Sequence, residues 1–151
     1  MNHIDAFIER YCKLWDDRFN KLELVLKSYK TKPMSSVTQK IMDHSSARHY
    51  RWGGDCESWA LEESLSLSIK EERMPPHSKE QRHFHRHARQ FFYVLKGEAT
   101  LYIQNEKVLL TQGQGITVLP EQKHYIANVH NEDLLFLVIS QPTTDMDRMN
   151  G

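Results

Sequence analysis

Between Ser58 and Ser140 the sequence is cut into short runs rich in β-branched, aromatic and aliphatic residues, separated by Gly, Pro, Asn and charged breaks. The runs are 58–63, 65–74, 80–85, 90–97, 99–104, 107–111, 115–120, 124–129 and 134–140. Runs of this length between turn signals suit strands better than helices. Many short strands joined by tight turns must each bury one face, which they do by closing into a sandwich or a barrel. Several runs alternate, so residues two apart share a face and decide what lines an interior. The expected class is therefore all-β from about Tyr50 to Pro142. The last run, Leu134 to Ile139, is apolar at every position and reads as a strand covered on both sides.

The first thirty residues have a different texture. Ile4, Phe7, Ile8, Tyr11, Leu14, Trp15, Leu22, Val25, Leu26 and Tyr29 recur at helical spacing with charges on the other face, which predicts an amphipathic helix interrupted near Asn20. Its apolar stripe needs a cover, on the barrel or on a second subunit. The small polar residues and Pro33 in KTKPMSSVTQ read as a connection, and Met34 offers an alternative start. The expected organisation is a helical extension over 1–33, a linker over 34–49, the β domain over 50–142 and a C-terminal tail over 143–151. A chain of 151 residues suits one core.

Charge narrows the partners. Twenty Lys and Arg balance twenty Asp and Glu, so no net field favours nucleic acid or acidic lipid, and a small-molecule ligand is the default. Glu9, Arg10, Asp16 and Asp17 interrupt any secretory apolar core, and no stretch reaches bilayer length. Cys12 and Cys56 form no metal or redox motif and read as free thiols, which suits a cytoplasmic location.

The chemistry concentrates in histidines. His83 and His85 are two apart, so on a strand both imidazoles project from one face while Phe84 points away. By the same alternation Gln90, Phe92 and Val94 share a face of the next strand, and His124, Ile126 and Asn128 share a face of a later one. Three imidazoles and an amide oxygen converging inside a barrel would accept a divalent metal such as Zn, Fe, Mn or Ni. The competing reading is a set of hydrogen-bonded pocket histidines without metal, in which Gln90 only hydrogen-bonds. His87 continues the alternation but falls where the strand turns, and reads as a rim residue or a substitute ligand. His77 follows Pro75-Pro76 in a turn and reads as exposed. Tyr93, Tyr102, Tyr125, Trp52 and Trp59 read as wall and core.

Here the chain resembles the cupin superfamily in its small, single-domain, RmlC-like form. The first cupin motif, Gly, five residues, His-x-His, three or four residues, Glu, six residues, Gly, is matched at His83, His85 and Gly97. His77 stands in place of its glycine and Gln90 in place of its glutamate. The second, Gly, five residues, Pro-x-Gly, two residues, His, three residues, Asn, is matched at Gly113, His124 and Asn128, with Leu119 and Glu121 replacing its proline and inner glycine. The resemblance extends over roughly Tyr50 to Pro142, and implies a double-stranded β-helix, or jelly-roll, barrel with a metal on His83, His85, Gln90 and His124. RWGGDCESWALEE and RQFFYVLKG look like small stand-alone cupins of unassigned activity, so no substrate is carried over.

Three functions compete. The first is a small-molecule metalloenzyme of dioxygenase or isomerase type, for which the only carboxylates at motif positions, Glu98 and Glu121, fall at turns. The second is a non-catalytic ligand-binding or sensing module. The third is a metal-free sugar-nucleotide epimerase or ketoisomerase, which needs a histidine with an acidic or tyrosine partner. The two-sided final strand and the amphipathic extension together predict a homodimer. Light scattering at micromolar concentration should give twice the chain mass, and removing the residues before Met34 should weaken the dimer; a monomer mass for the full chain would refute this.

Overall fold

The computed structural model describes residues 40–151 and, before them, Ile8, Glu9, Lys13, Trp15, Phe19 and Glu23. The chain forms two compact units, Met1–Ile41 and Met42–Gly151. In the first, the six described residues are helical, in keeping with the 3.6-residue period, and the rings of Trp15 and Phe19, one turn apart, lie 6.0 Å from each other. The remaining apolar positions of the expected helix, and the linker up to residue 39, lie outside the described residues. Among the described residues no helix is long and apolar enough to cross a membrane.

The second unit is all β. Its strands are β1 (Arg48–Trp52), β2 (Cys56–Glu63), β3 (Ser68–Met74), β4 (Ser78–Lys79), β5 (His83–His85), β6 (Arg89–Lys96), β7 (Glu98–Ile103), β8 (Glu106–Thr111), β9 (Gly115–Val118), β10 (His124–Asn128), β11 (Leu134–Gln141) and β12 (Arg148–Asn150). They form two antiparallel sheets in the orders β1-β2-β3-β11-β6-β9 and β12-β5-β10-β7-β8, with β4 also on β10. The long crossovers, β3 to β11 and β5 to β12, are those of a jelly roll rather than a simple meander.

Alternation accounts for the core. Leu134, Phe136, Val138 and Ser140 of β11 are buried, while Leu135, Leu137 and Ile139 on the other face are half-buried. The all-apolar run thus sits centrally, between β3 and β6, with one fully buried face. Phe136 stacks on Phe92 at 6.3 Å, and around them pack Met74, Val94, Leu101, Leu110, Val118, Ile126 and Leu134. This apolar cluster closes part of the barrel interior and leaves the histidine-bearing part to the site.

Two departures from the sequence reading matter. The run 80–85 is not one strand: β4 and β5 are separated by Glu80–Arg82, where Glu80 N–H bonds to Ile126 O. The C-terminal stretch also pairs, Arg148 opposite His85 and Asn150 opposite His83. A three-residue strand drawn from Arg, Met and Asn carries no alternation, so only the available edge of β5 shows why it forms.

Gly97 closes the β6–β7 turn at φ +83°, and a Cβ there would lie 2.9 Å from the carbonyl oxygen of Asp133. Gly113 has nearly the same φ, +82°, but nothing within 4 Å of its added Cβ. Gly113→Ala should therefore cost about 1 kcal/mol from backbone strain alone, and Gly97→Ala more than about 2 kcal/mol because the clash adds to it. Thermal melts of both variants check this; equal losses would show that the Asp133 contact does not matter.

Candidate metal centre

Antiparallel pairing builds the site. His83 on β5 lies directly opposite His124 on β10, and the two-residue period puts His85 on the same inner face. The ring centroids are 4.4 Å apart for His83 and His124, 5.0 Å for His83 and His85, and 5.8 Å for His85 and His124. One nitrogen from each ring lies within 4.8 Å of the others, the spread a single ion can span. All three residues are buried, at 2%, 4% and 2% exposure.

The hydrogen bonds assign the protons. His83 Nδ1 is 3.0 Å from Gln81 O, and His124 Nδ1 is 2.8 Å from Gln122 O. A carbonyl only accepts, so each Nδ1 carries the proton and each neutral ring keeps its lone pair on Nε2. His124 Nε2 nevertheless lies 2.9 Å from Gln90 Oε1, while Gln90 Nε2 donates to Ser140 Oγ at 3.3 Å. Two acceptors facing each other need a cation between them or a half-turn of the amide. Both nitrogens of His85 are buried with no hydrogen-bond partner, and its Nδ1 is 4.0 Å from Asp147 Oδ2. An unpartnered imidazole lone pair in a buried pocket fits a metal ion.

Burial also sets the charge state. Desolvation, then the neighbouring His124, pushes His83 down to about 3 and His85 to about 4, and desolvation likewise lowers His124. The three rings are neutral at physiological pH, as ligands must be.

His83, His85 and Gln90 line a cavity of about 550 Å³ that also takes in Tyr50, Trp52, Lys70, Glu72, Glu80 and Arg148, with His124 buried behind Gln90. Two of them supply what was missing from the sequence reading. Glu72 accepts from Ser58 Oγ at 3.2 Å, and Glu80 pairs with Arg148 at 3.0 Å and lies 3.7 Å from His83 Nδ1. Desolvation, then repulsion from Glu80, raises Glu72 to about 8; desolvation raises Glu80 to about 7 despite Arg148. By surface area Glu72 is only half-buried, because the cavity reaches it while protein surrounds its carboxyl. Its signal lay in β3, where Lys70 and Glu72 alternate with the outer residues and fall on the face of the buried Ser68 and Met74.

The other singled-out residues fall outside this set. His87 is exposed, its backbone N–H held by Asp147, and His77 is exposed with Nε2 3.0 Å from Asn131 Oδ1. Glu98 is turned to His130 at 3.3 Å, and Glu121 sits in a turn at φ +66°, its N–H on His85 O. Asn128 shares the inner face with His124 but is a pin: its amide donates to Met74 O and Glu132 O and its oxygen accepts from His130 N–H. Tyr102 and Tyr125 stack on each other at 4.5 Å. Asp147, which no pattern in the sequence marked, accepts from the N–H groups of His87 and Ala88 and so braces the end of β5.

Residues 70–140 match the family described as the cupin domain. This part of the chain is a cupin domain. An uncharacterized protein of Methanocaldococcus jannaschii is 32% identical over 78 residues, 52% of this chain, and the chain spans 62% of that protein's length. Among solved structures, an RmlC-like cupin from Shewanella frigidimarina superposes with a TM-score of 0.64 at 18% identity, covering 72% of this chain and 96% of that one. A predicted oxalate decarboxylase from Thermotoga maritima superposes at 0.63 and 21% identity, covering 69% and 100%. At these identities the likeness shows the fold alone.

The pH dependence of stability follows from the two sets of shifts. Unfolded imidazoles bind protons below about 6.5 and the folded ones do not, so their contribution is complete above that pH and fades as pH falls toward 4 and 3. Glu72 and Glu80 work in the opposite sense. They keep protons that unfolded carboxyls release above 4.5, so their contribution is complete below 4.5 and is lost as pH rises through about 7 and about 8. The melting temperature of chelator-treated protein should peak between 4.5 and 6.5, and Glu72→Gln should shallow the alkaline fall. An unchanged alkaline slope in that variant would show that Glu72 titrates normally.

Proposed function

We propose that the cavity holds a divalent ion on His83, His85 and His124, with Gln90 Oε1 as fourth donor, and acts on a small oxygenated ligand. Zn, Fe, Mn and Ni all accept such nitrogen and oxygen donors. The observation that carries this reading is the trio of buried, neutral imidazoles whose nitrogens lie within 4.8 Å, one ring having no hydrogen-bond partner at all. When bound, such an ion polarises a carbonyl or hydroxyl oxygen.

The chain's own groups supply the rest. Phe92, Ile126 and Val138 form the apolar wall that keeps water from the inner part of the cavity. Glu72, largely in its acid form near neutral pH, is suited to exchanging a proton with a ligand in that cavity. A carboxyl tuned in this way favours proton-transfer chemistry of the isomerase type over oxygen chemistry. The second reading, a binding module without catalysis, draws support from Ser140, which gives Gln90 a hydrogen-bond partner independent of any ion.

Gln90→Glu should tighten Zn or Mn binding about tenfold, because a carboxylate adds a charge-assisted bond in a partly desolvated site at nearly constant volume. His85→Ala should weaken it more than roughly 100-fold by removing a ligand from the ion itself. Titration calorimetry on chelator-stripped protein, with circular dichroism to verify folding, checks both. Unchanged affinities in the two variants would sink the metal reading and leave the binding module.

A further inference from the structure

Resting on the metal reading, we infer that the cavity takes a small organic anion, a carboxylate bearing a neighbouring hydroxyl or carbonyl oxygen, and that Lys70 is the residue that selects it. β3 turns the charged Lys70 and Glu72 inward between the buried Ser68 and Met74. An inward charge in a barrel is costly unless something pairs with it. Lys70 has no such partner within ion-pair distance, although its charge is felt by Glu72, Glu80 and Glu63. Among the described residues it makes no ion pair and no hydrogen bond, and its Nζ lies over the ring of Tyr50, 5.7 Å from the centroid. The residues level with it across the sheet are Ala60, Val138 and Phe92, all apolar and buried.

The other charges around the cavity do not cancel it. Arg148 and Glu80 are engaged with each other at 3.0 Å, with Glu80 only partly ionised near neutral pH, and Glu72 accepts from Ser58. Asp145 stands at the exposed rim. The four proposed metal donors are three imidazoles and an amide, so none of them offsets an ion's charge. With a divalent ion bound, the cavity is therefore short of negative charge at two places, the histidine centre and Lys70. A neutral polyol supplies none. A hydroxy- or oxo-carboxylate supplies it, and the cavity of about 550 Å³ lies within the range for small ligands. The neutral amide of Gln90 then has a consequence: the anion brought by the ligand takes the part a fixed carboxylate would otherwise play, so the loaded site prefers charged over neutral ligands.

The probe is malate, compared with its neutral diamide, titrated into Zn-loaded and chelator-stripped protein. Malate should bind the Zn-loaded protein at least about tenfold more tightly than the diamide. Lys70→Met should weaken malate about tenfold while leaving the diamide and Zn affinities unchanged, and Lys70→Arg should restore malate binding. Gln90→Glu should weaken malate even as it holds Zn more tightly. Equal affinity for malate and its diamide, no malate binding, or indifference to Lys70→Met overturns the inference while leaving the metal reading intact. If Zn itself fails to bind, the metal reading falls, and the stripped protein decides alone: malate binding that Lys70→Met weakens upholds the anion site, and its absence ends it.

Discussion

The pairing of β5 with β10 brings His83 face to face with His124, and the barrel closes over them before either ring can keep its water. Much of the site's character follows from that desolvation. An imidazolium in such a place is penalised, so the rings stay neutral. Neutral rings need their single N–H satisfied, and the carbonyls of Gln81 and Gln122, each two residues back along the chain, do so for His83 and His124. The tautomers are thereby assigned, and the remaining lone pairs are left inside the barrel. The same scarcity of water that keeps the histidines uncharged keeps Glu72 and Glu80 protonated at higher pH than usual.

The cavity thus combines groups of opposite tendency. Its histidines resist protonation, its carboxyls resist ionisation, and among the described residues the Lys70 ammonium makes no ion pair. An interior of largely neutral polar groups with Lys70 and Arg148 in its lining is poorly matched to a hydrocarbon ligand. Gln90 belongs to this pattern, since its amide makes contacts to His124 and Ser140 without adding charge.

The C-terminal residues have a structural share in the site. β12 completes the sheet beside β5, Asp147 holds the backbone N–H groups of His87 and Ala88, and Arg148 reaches Glu80 and Gln81 O. A three-residue strand bearing two ligand-type histidines would be weakly held by β10 alone, with which it shares one paired position. Its second neighbour comes from the far end of the chain.

Local periodicity in the sequence determined most strands of the barrel, though not β1, β4 or β12, together with the shared face of His83 and His85 and the inward direction of Gln90 and His124, because the pleat alternates whatever the surrounding fold. The two half-motifs likewise determined the family, being patterns of spacing. Only the tertiary structure decided the rest. The part of Glu72 and Glu80 depends on which strands close the barrel opposite the histidines, and a charged residue on a strand reads as solvent-facing until its face is known. That Lys70 makes no ion pair among the described residues depends in part on the apolar identity of Val138 and Phe92, distant in sequence and brought near through β11 and β6. β12 has no intrinsic preference to be a strand and exists because the edge of β5 offers hydrogen bonds. Patterns carried by neighbours along the chain are legible in one dimension, whereas burial and charge compensation are sums over neighbours in space.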